Sequence, residues 1–296
     1  MKPDCNNPRL VSLVILLASI SCTPVFSARV SLPLQVNNRL ATISVTVNGQ
    51  GPYRFLIDTG TEGSLIDGNL ARELGLRPTH RIELATMAGL DVLPVSPATL
   101  GLGTSEIGAV DFIWMESGAV KRRIQLDGVI GQNVLSRFNY LLDYQHRALT
   151  LQDRSEEIMG LRGGALPCRK GSSRCEITVP VGVNGRPTSS AAKLVLDSGA
   201  DAFTLVSERA KEFERAMTRD ALEEARMFTH SGFSNGVLSG VAQRLMVAGR
   251  TMMSASIVLV KTGIAGERGD GLLPTSLFES VYFSNGQGTV LLNPGH

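Results

Sequence analysis

The chain has 296 residues, 43% of them hydrophobic and 19% charged, a balance that excludes an intrinsically disordered polypeptide. Lys and Arg number 29 against 27 Asp and Glu, and the formal charge of +2 leaves no electrostatic footprint for nucleic acid or an acidic membrane surface. With 31 glycines and 13 prolines the chain reads as turn-rich with few long helices, at a length that fits one large domain or two ordinary ones.

Lys2 and Arg9 precede an uncharged, mostly apolar run of 11 residues, Leu10 to Ile20. A membrane-spanning helix needs about 20 residues. The run therefore predicts a secretory signal peptide over 1–27, with small residues around a cut before Ala28. The mature chain is expected to be exported, periplasmic or secreted, with no stable membrane span. An uncleaved anchor and lipoprotein processing at Cys22 are the alternatives; the second is disfavoured by Ser19, where a larger aliphatic residue is usual. Cleavage removes Cys5 and Cys22. The remaining Cys168 and Cys175 read as a local disulfide in an oxidising compartment. Two isolated cysteines cannot build a structural zinc site.

Beyond the signal the chain is written twice. Val36 to Val47 is rich in β-branched residues, ends at Asn48-Gly49, and is followed by Phe55-Leu56-Ile57-Asp58-Thr59-Gly60. Asn69 to Leu74 reads as a short helix stopped by Gly75. Gly101-Leu102-Gly103 reads as a hairpin turn, and Trp114, in an apolar run, as a packing residue. Leu126-Asp127-Gly128-Val129-Ile130-Gly131 lies 69 positions past Asp58, counted Asp to Asp. A short amphipathic stretch (133–138) and a strand pair (140–143, 148–151) close this half. Residues 156–164 read as a linker. The second half repeats the order: Ile177 to Val183, Asn184-Gly185, then Leu194-Val195-Leu196-Asp197-Ser198-Gly199. Ser207 to Met227 reads as one helix, longer than its first-half counterpart. Gly269-Asp270-Gly271-Leu272-Leu273-Pro274 follows, with Asp270 placed 73 positions past Asp197, and a strand pair (281–283, 289–292) closes the chain. The spacing predicts a mainly β protein of two homologous lobes, 29–155 and 165–296.

A lone Asp-Thr-Gly or Asp-Ser-Gly is weak evidence, because a turn after a strand explains it. Here each tripeptide follows an apolar strand, occurs once per repeat, and has a matched apolar element downstream, so a pseudo-twofold axis could bring Asp58 and Asp197 together. Two carboxyls within hydrogen-bonding reach share one proton and act as acid and base at once. One takes a proton from water while the other hydrogen-bonds a substrate carbonyl. Gly60 and Gly199 allow the sharp turn, and the Thr59 and Ser198 hydroxyls can lock the loop. Asp127 and Asp270 read as turn residues before glycine.

At these residues the chain resembles the aspartic peptidases, the group that includes the pepsins and retroviral proteases. With Ser64-Leu65-Ile66 following, it is closer in style to bacterial two-lobe, retropepsin-like members. The resemblance implies a bilobal acid-protease fold with β-barrel-like lobes, a cleft between them, and the catalytic pair Asp58 and Asp197 on its floor. The active-site loops would be Thr59, Gly60 and Thr61, and Ser198, Gly199 and Ala200. Substrate flaps would carry Thr86, Met87, Ala88 and Gly89, and Ser231 and Gly232. It implies a peptide or protein substrate, no cofactor or metal, and a monomer that acts as a pseudo-dimer. Three features depart from the pattern: Thr61 stands where Ala or Ser is common, Pro274 where Gly131 has its counterpart, and the first flap lacks a tyrosine.

Other chemistry has little support. The four histidines are scattered, His230 alone bordering a flap. There is no His-Glu-x-x-His, Gly-x-Ser-x-Gly or phosphate-binding Gly-x-x-x-x-Gly-Lys-(Ser/Thr) motif. The competing function is a peptide-binding protein with weak or absent catalysis on the same fold, and Pro274 is the feature that favours it.

Overall fold

Asn48 and Gly49 take φ of 50° and 73°, the positive values a two-residue type I′ turn requires, and fold Leu40–Val47 back onto Gln50–Ile57. Asn184 and Gly185, at 50° and 83°, do the same between Val181–Val183 and Arg186–Pro187. These turns open two curled sheets in a computed structural model that describes residues 29–86, 89–115, 125–169, 171–188, 190–217, 221–229, 232–261 and 269–295. Residues 1–27, where a signal peptide is expected, lie outside the described residues. No described helix is long and apolar enough to cross a membrane.

The first sheet has eight strands, in the spatial order Gln35–Asn37, Leu40–Val47, Gln50–Ile57, Gly128–Ile130, Ser64–Asp67, Ser105–Met115, Gly89–Leu102 and His80–Thr86. Leu40–Val47 also pairs with Gly89–Leu102, so the sheet curls back on itself. In the nine-stranded second sheet this double pairing is divided between two strands. Glu176–Val179 pairs with Ala192–Asp197, and Val181–Val183 pairs with Gly232–Val247. Between them stands Pro180, which has no N–H to give to a ladder.

The matched Asp-Gly elements have the same role in both sheets. Phe55–Ile57 runs parallel to Gly128–Ile130, and Leu194–Asp197 runs parallel to Gly271–Pro274. Each of these inner strands is flanked on its other side by an antiparallel neighbour, Ser64–Asp67 or Phe203–Val206. The strands approach so closely that a Cβ at Gly128 would lie 2.5 Å from the Leu65 carbonyl oxygen, and one at Gly271 would press on the Thr204 carbonyl. Asp127 and Asp270 do more than turn the chain. The Asp127 carboxylate accepts the Arg54 N–H at 2.8 Å and that of Asp270 accepts the Lys193 N–H at 2.9 Å. Each therefore clips the strand that leads into an Asp-(Thr/Ser)-Gly loop.

The two closing hairpins pair with each other. Tyr140 to Asp143 runs antiparallel to Ser280 to Phe283 at the centre of a six-stranded sheet. Every residue of Phe138–Asp143 is buried there, and Tyr140 stacks on Phe283 with ring centroids 4.6 Å apart. Segment 156–164, expected to be a plain linker, is fastened to this sheet by Glu157. Its carboxylate accepts from Tyr282 Oη at 2.5 Å, Ser284 Oγ at 2.7 Å and Asn139 Nδ2 at 3.1 Å. Burial, with the Glu157 carboxylate beside it, pushes the Tyr282 hydroxyl up to about 12.

The short helix is Gly68–Glu73, capped by the Asp67 carboxylate and ended near Gly75 at φ 66°. Trp114 is buried, its Nε1 donating to Ser96 Oγ at 3.1 Å, as its apolar surroundings predict. The long helix is a correction. Among its described residues Ser207–Ala216 is helical, whereas Leu222–Thr229 is a strand paired with Gly232–Val247. The Glu- and Ala-rich sequence 221–227 has good helix formers, but pairing along a neighbouring strand overrides that local preference.

Candidate active site

Two inner strands deliver Asp58 and Asp197 to adjacent places. Asp58 N–H donates to Ile130 O at 3.0 Å, and Asp197 lies opposite Pro274. The next residues then cross between the loops. Thr59 N–H donates to Ser198 Oγ at 3.0 Å, and Ser198 N–H donates to Thr59 Oγ1 at 3.0 Å. Each hydroxyl passes its own proton onward, Thr59 to Leu196 O at 2.7 Å and Ser198 to Ile57 O at 2.7 Å. All four bonds are buried, and both hydroxyls are used as donor and acceptor. Short hydroxyl side chains are needed here because each must reach the opposite backbone.

The glycines place the carboxyls. Gly60 N–H donates to Asp58 Oδ1 at 2.8 Å, and Gly199 N–H donates to Asp197 Oδ1 at 2.7 Å. Each glycine also lies against the carboxyl of the other loop. A Cβ at Gly60 would sit 2.5 Å from Asp197 Cγ, and one at Gly199 would sit 2.6 Å from Asp58 Cγ. Each carboxyl thus lies against the glycine of the other loop, and Asp58 acts electrically on Asp197. Asp58 is half-buried and Asp197 is buried. Burial first, then the Asp58 charge, push the Asp197 carboxyl well above the ordinary carboxylate range. The Gly199 N–H and the Arg174 guanidinium act against that rise.

The supports beneath the loops differ. Under the first, Ser64 Oγ accepts the Gly131 N–H at 3.0 Å and donates to Asn133 Oδ1 at 2.6 Å. Gln132 N–H donates to Thr61 O at 3.0 Å, and its Nε2 donates to Thr59 O at 2.9 Å. A Cβ at Gly131 would lie 2.7 Å from the Gly63 carbonyl carbon and 3.0 Å from Thr61 Cγ2. Under the second, Pro274 has no N–H, and the position matching Ser64 is Phe203. Donor and acceptor are thus lost together, so no polar group is stranded by the exchange. Beside Pro274, Thr275 Oγ1 shares a 2.5 Å hydrogen bond with Tyr144 Oη. Burial raises the Tyr144 hydroxyl, with Asp197 adding to the rise, so it stays neutral.

Asp58, Thr59, Gly60, Thr61, Asp197, Ser198, Gly199 and Ala200 therefore come together in the two adjoining loops. The hairpins expected to be flaps form as strand pairs, with Thr86 opposite Gly89 and Thr229 opposite Gly232. Met87, Ala88, His230 and Ser231 lie outside the described residues. Cys168 and Cys175 are disulfide-bonded. Sequence reasoning missed Gln132, Tyr144 and Thr275, which carry no motif. It also missed Arg174, whose one signal is its place next to Cys175. Residues 43–134, which include Asp58-Thr59-Gly60 and Val129-Ile130-Gly131, match the family model described as aspartyl protease, and the chain carries an aspartyl-protease family domain over that span.

Proposed function

We propose that the protein is an aspartic endopeptidase in which Asp58 and Asp197 share one proton and activate a water for attack on a peptide carbonyl. The reciprocal crossing of the two loops carries this reading: each glycine backs the opposite carboxyl, and each hydroxyl bonds the opposite backbone. The raised Asp197 carboxyl holds the proton and hydrogen-bonds the substrate carbonyl. Asp58, the more exposed of the two, takes the proton from water. The lobes are 29–155 and 165–296, joined through the shared six-stranded sheet, with the cleft between them and the hairpins ending near 86–89 and 229–232 as flaps. One chain supplies both carboxyls, so the monomer is the working unit. The leader over 1–27 directs export to the periplasm or exterior.

The peptide-binding alternative drew on Pro274. Its force is reduced because Phe203 removes the acceptor that a glycine N–H would have met. The test is incubation with a mixed peptide library across pH, comparing the native protein with Asp58→Asn and Asp197→Asn. Each variant is expected to stay folded by circular dichroism and to lose at least about 100-fold in rate, the lower range for loss of an acid–base group. Full activity in either variant would sink the mechanism. Activity abolished by chelator and restored by zinc would place the chemistry elsewhere.

A further inference from the structure

We propose that Arg174 is a positioning residue, held against the Gly60 carbonyl by the Cys168–Cys175 loop so that its guanidinium governs how the carboxyl pair shares protons. The inference rests on the peptidase reading for its consequence in catalysis, but not for its geometry.

Arg174 immediately precedes Cys175, which is buried and bridged to Cys168 with Cα atoms 4.9 Å apart. Cys175 O accepts the Leu196 N–H at 3.0 Å, and Leu196 is the residue before Asp197. At the other end of the loop, Cys168 N–H donates to Gly288 O at 2.9 Å and Arg169 N–H donates to Glu176 O at 2.8 Å. The disulfide loop is thus anchored both to the strand entering the second Asp loop and to the six-stranded sheet. Residues 171–173 at its tip are exposed, whereas Arg174 is half-buried and turns inward. Its Nη1 donates to Gly60 O at 3.4 Å, a contact across 114 positions of sequence. Gly60 is the residue whose missing Cβ makes room for Asp197. Arg174 therefore starts on the second half, ends on the loop of the first, and carries a permanent positive charge beside the place where the two meet.

Asp58, on the opposite loop, raises Asp197; the Gly199 N–H and the Arg174 guanidinium oppose the rise, and of these two Arg174 carries the charge. Tyr144, beneath, is itself raised by burial and by Asp197 and stays neutral. A cation beside two interacting carboxyls lowers both of their protonation steps, because it favours every added negative charge. The window in which the pair holds one proton is thereby moved toward acid. Reducing the disulfide frees the segment that presents Arg174 and loosens this control.

The test is a carboxyl titration followed by NMR on protein with 13C-labelled aspartate, which requires no substrate. In Arg174→Gln both steps assigned to the Asp58–Asp197 pair are expected to move up by roughly one pH unit, the low end for loss of a neighbouring cation. Arg169→Gln, which removes a cation from the same loop where it pairs with Glu176 at 3.3 Å, is expected to titrate as wild type. Cys168→Ser/Cys175→Ser, with Arg174 intact, is expected to shift in the same direction as Arg174→Gln by a smaller amount. Wild-type titration in Arg174→Gln overturns the proposal, and wild-type titration in the double serine variant overturns the part given to the disulfide. Should Arg174→Gln not fold, the double serine variant decides alone. In the activity arm, the kcat/KM profile of Arg174→Gln is expected to shift to higher pH. A wild type that cleaves nothing at any pH removes the peptidase reading while leaving the titration result to stand.

Discussion

The two Asp loops present the same four crossing bonds and reciprocal glycines, yet they stand on different foundations. Beneath Asp58 the support is polar: Ser64, Asn133 and Gln132 tie backbone to side chain. At the matching positions of the second half stand the apolar Phe203 and Pro274, with polar contact displaced to Thr275 and Tyr144. The upper layer fixes where the carboxyls lie and needs a hydroxyl and a glycine in both loops, because each loop is held by pieces of the other. The lower layer only has to hold each loop, and several chemistries can do that. The carboxyls are inequivalent as well: one is half-buried, the other buried and shifted upward.

The largest expected effect comes from breaking what the loops share. Gly60→Ala and Gly199→Ala each drive a methyl group into the opposite carboxyl, at 2.5 and 2.6 Å from its Cγ. Each is expected to cost about 1–3 kcal/mol as overpacking. By separating the carboxyls, each should also lower peptidase activity at least about 100-fold, as removal of an acid–base partner does. Denaturant midpoints and kcat/KM on one peptide measure both losses. The two variants should match; a mild effect at one glycine alone would show that the crossing is not reciprocal.

A second prediction sharpens the inequality of the carboxyls through stability. Asp197 is raised in the folded chain, so folding favours its protonated form. The stability this group contributes is complete below the ordinary carboxylate range and is lost as pH rises through the raised value. Asp197→Asn removes a buried group that, above the ordinary carboxylate range, must either keep its proton against the solution or ionise in place. The variant is expected to have a higher Tm than wild type at neutral pH, with the gap closing as pH falls below the ordinary carboxylate range. Thermal scans across pH check this, and a gap independent of pH contradicts the assigned shift.

Much of this comparison was legible in the residues. The Asn-Gly turns, the strand before each Asp and the Asp-Gly elements that pair with it all rest on local patterns that survive into the fold. The disulfide was readable because two cysteines seven positions apart have one obvious partner each. What could not be read depends on contacts distant in sequence. The helical pattern at 221–227 gave way to a strand because its partner lies across a hairpin. Arg174 reaches Gly60 over 114 positions, and no spacing rule announces such a contact. The clip formed by Asp127 on Arg54 was hidden by a simpler explanation, since aspartate before glycine is ordinary in a turn.

The smallest effects test the lower layer, where the halves are expected to respond unequally. Ser64→Ala leaves the buried Gly131 N–H without its acceptor and is expected to cost about 1–3 kcal/mol. Pro274→Gly makes the second half resemble the first in sequence, but Phe203 offers the new N–H no oxygen. Pro274 also holds φ at −58°, well within the range its ring imposes, whereas Gly131 sits at −104°. Replacing it chiefly frees the unfolded chain, at an expected cost of about 0.4–1 kcal/mol. Urea midpoints of the two variants, measured side by side, should therefore rank Ser64→Ala as the more damaging. Equal losses would mean that Pro274 does more than fill a position where no hydrogen bond is needed, and the apolar support beneath Asp197 would then be as specific as the polar one beneath Asp58.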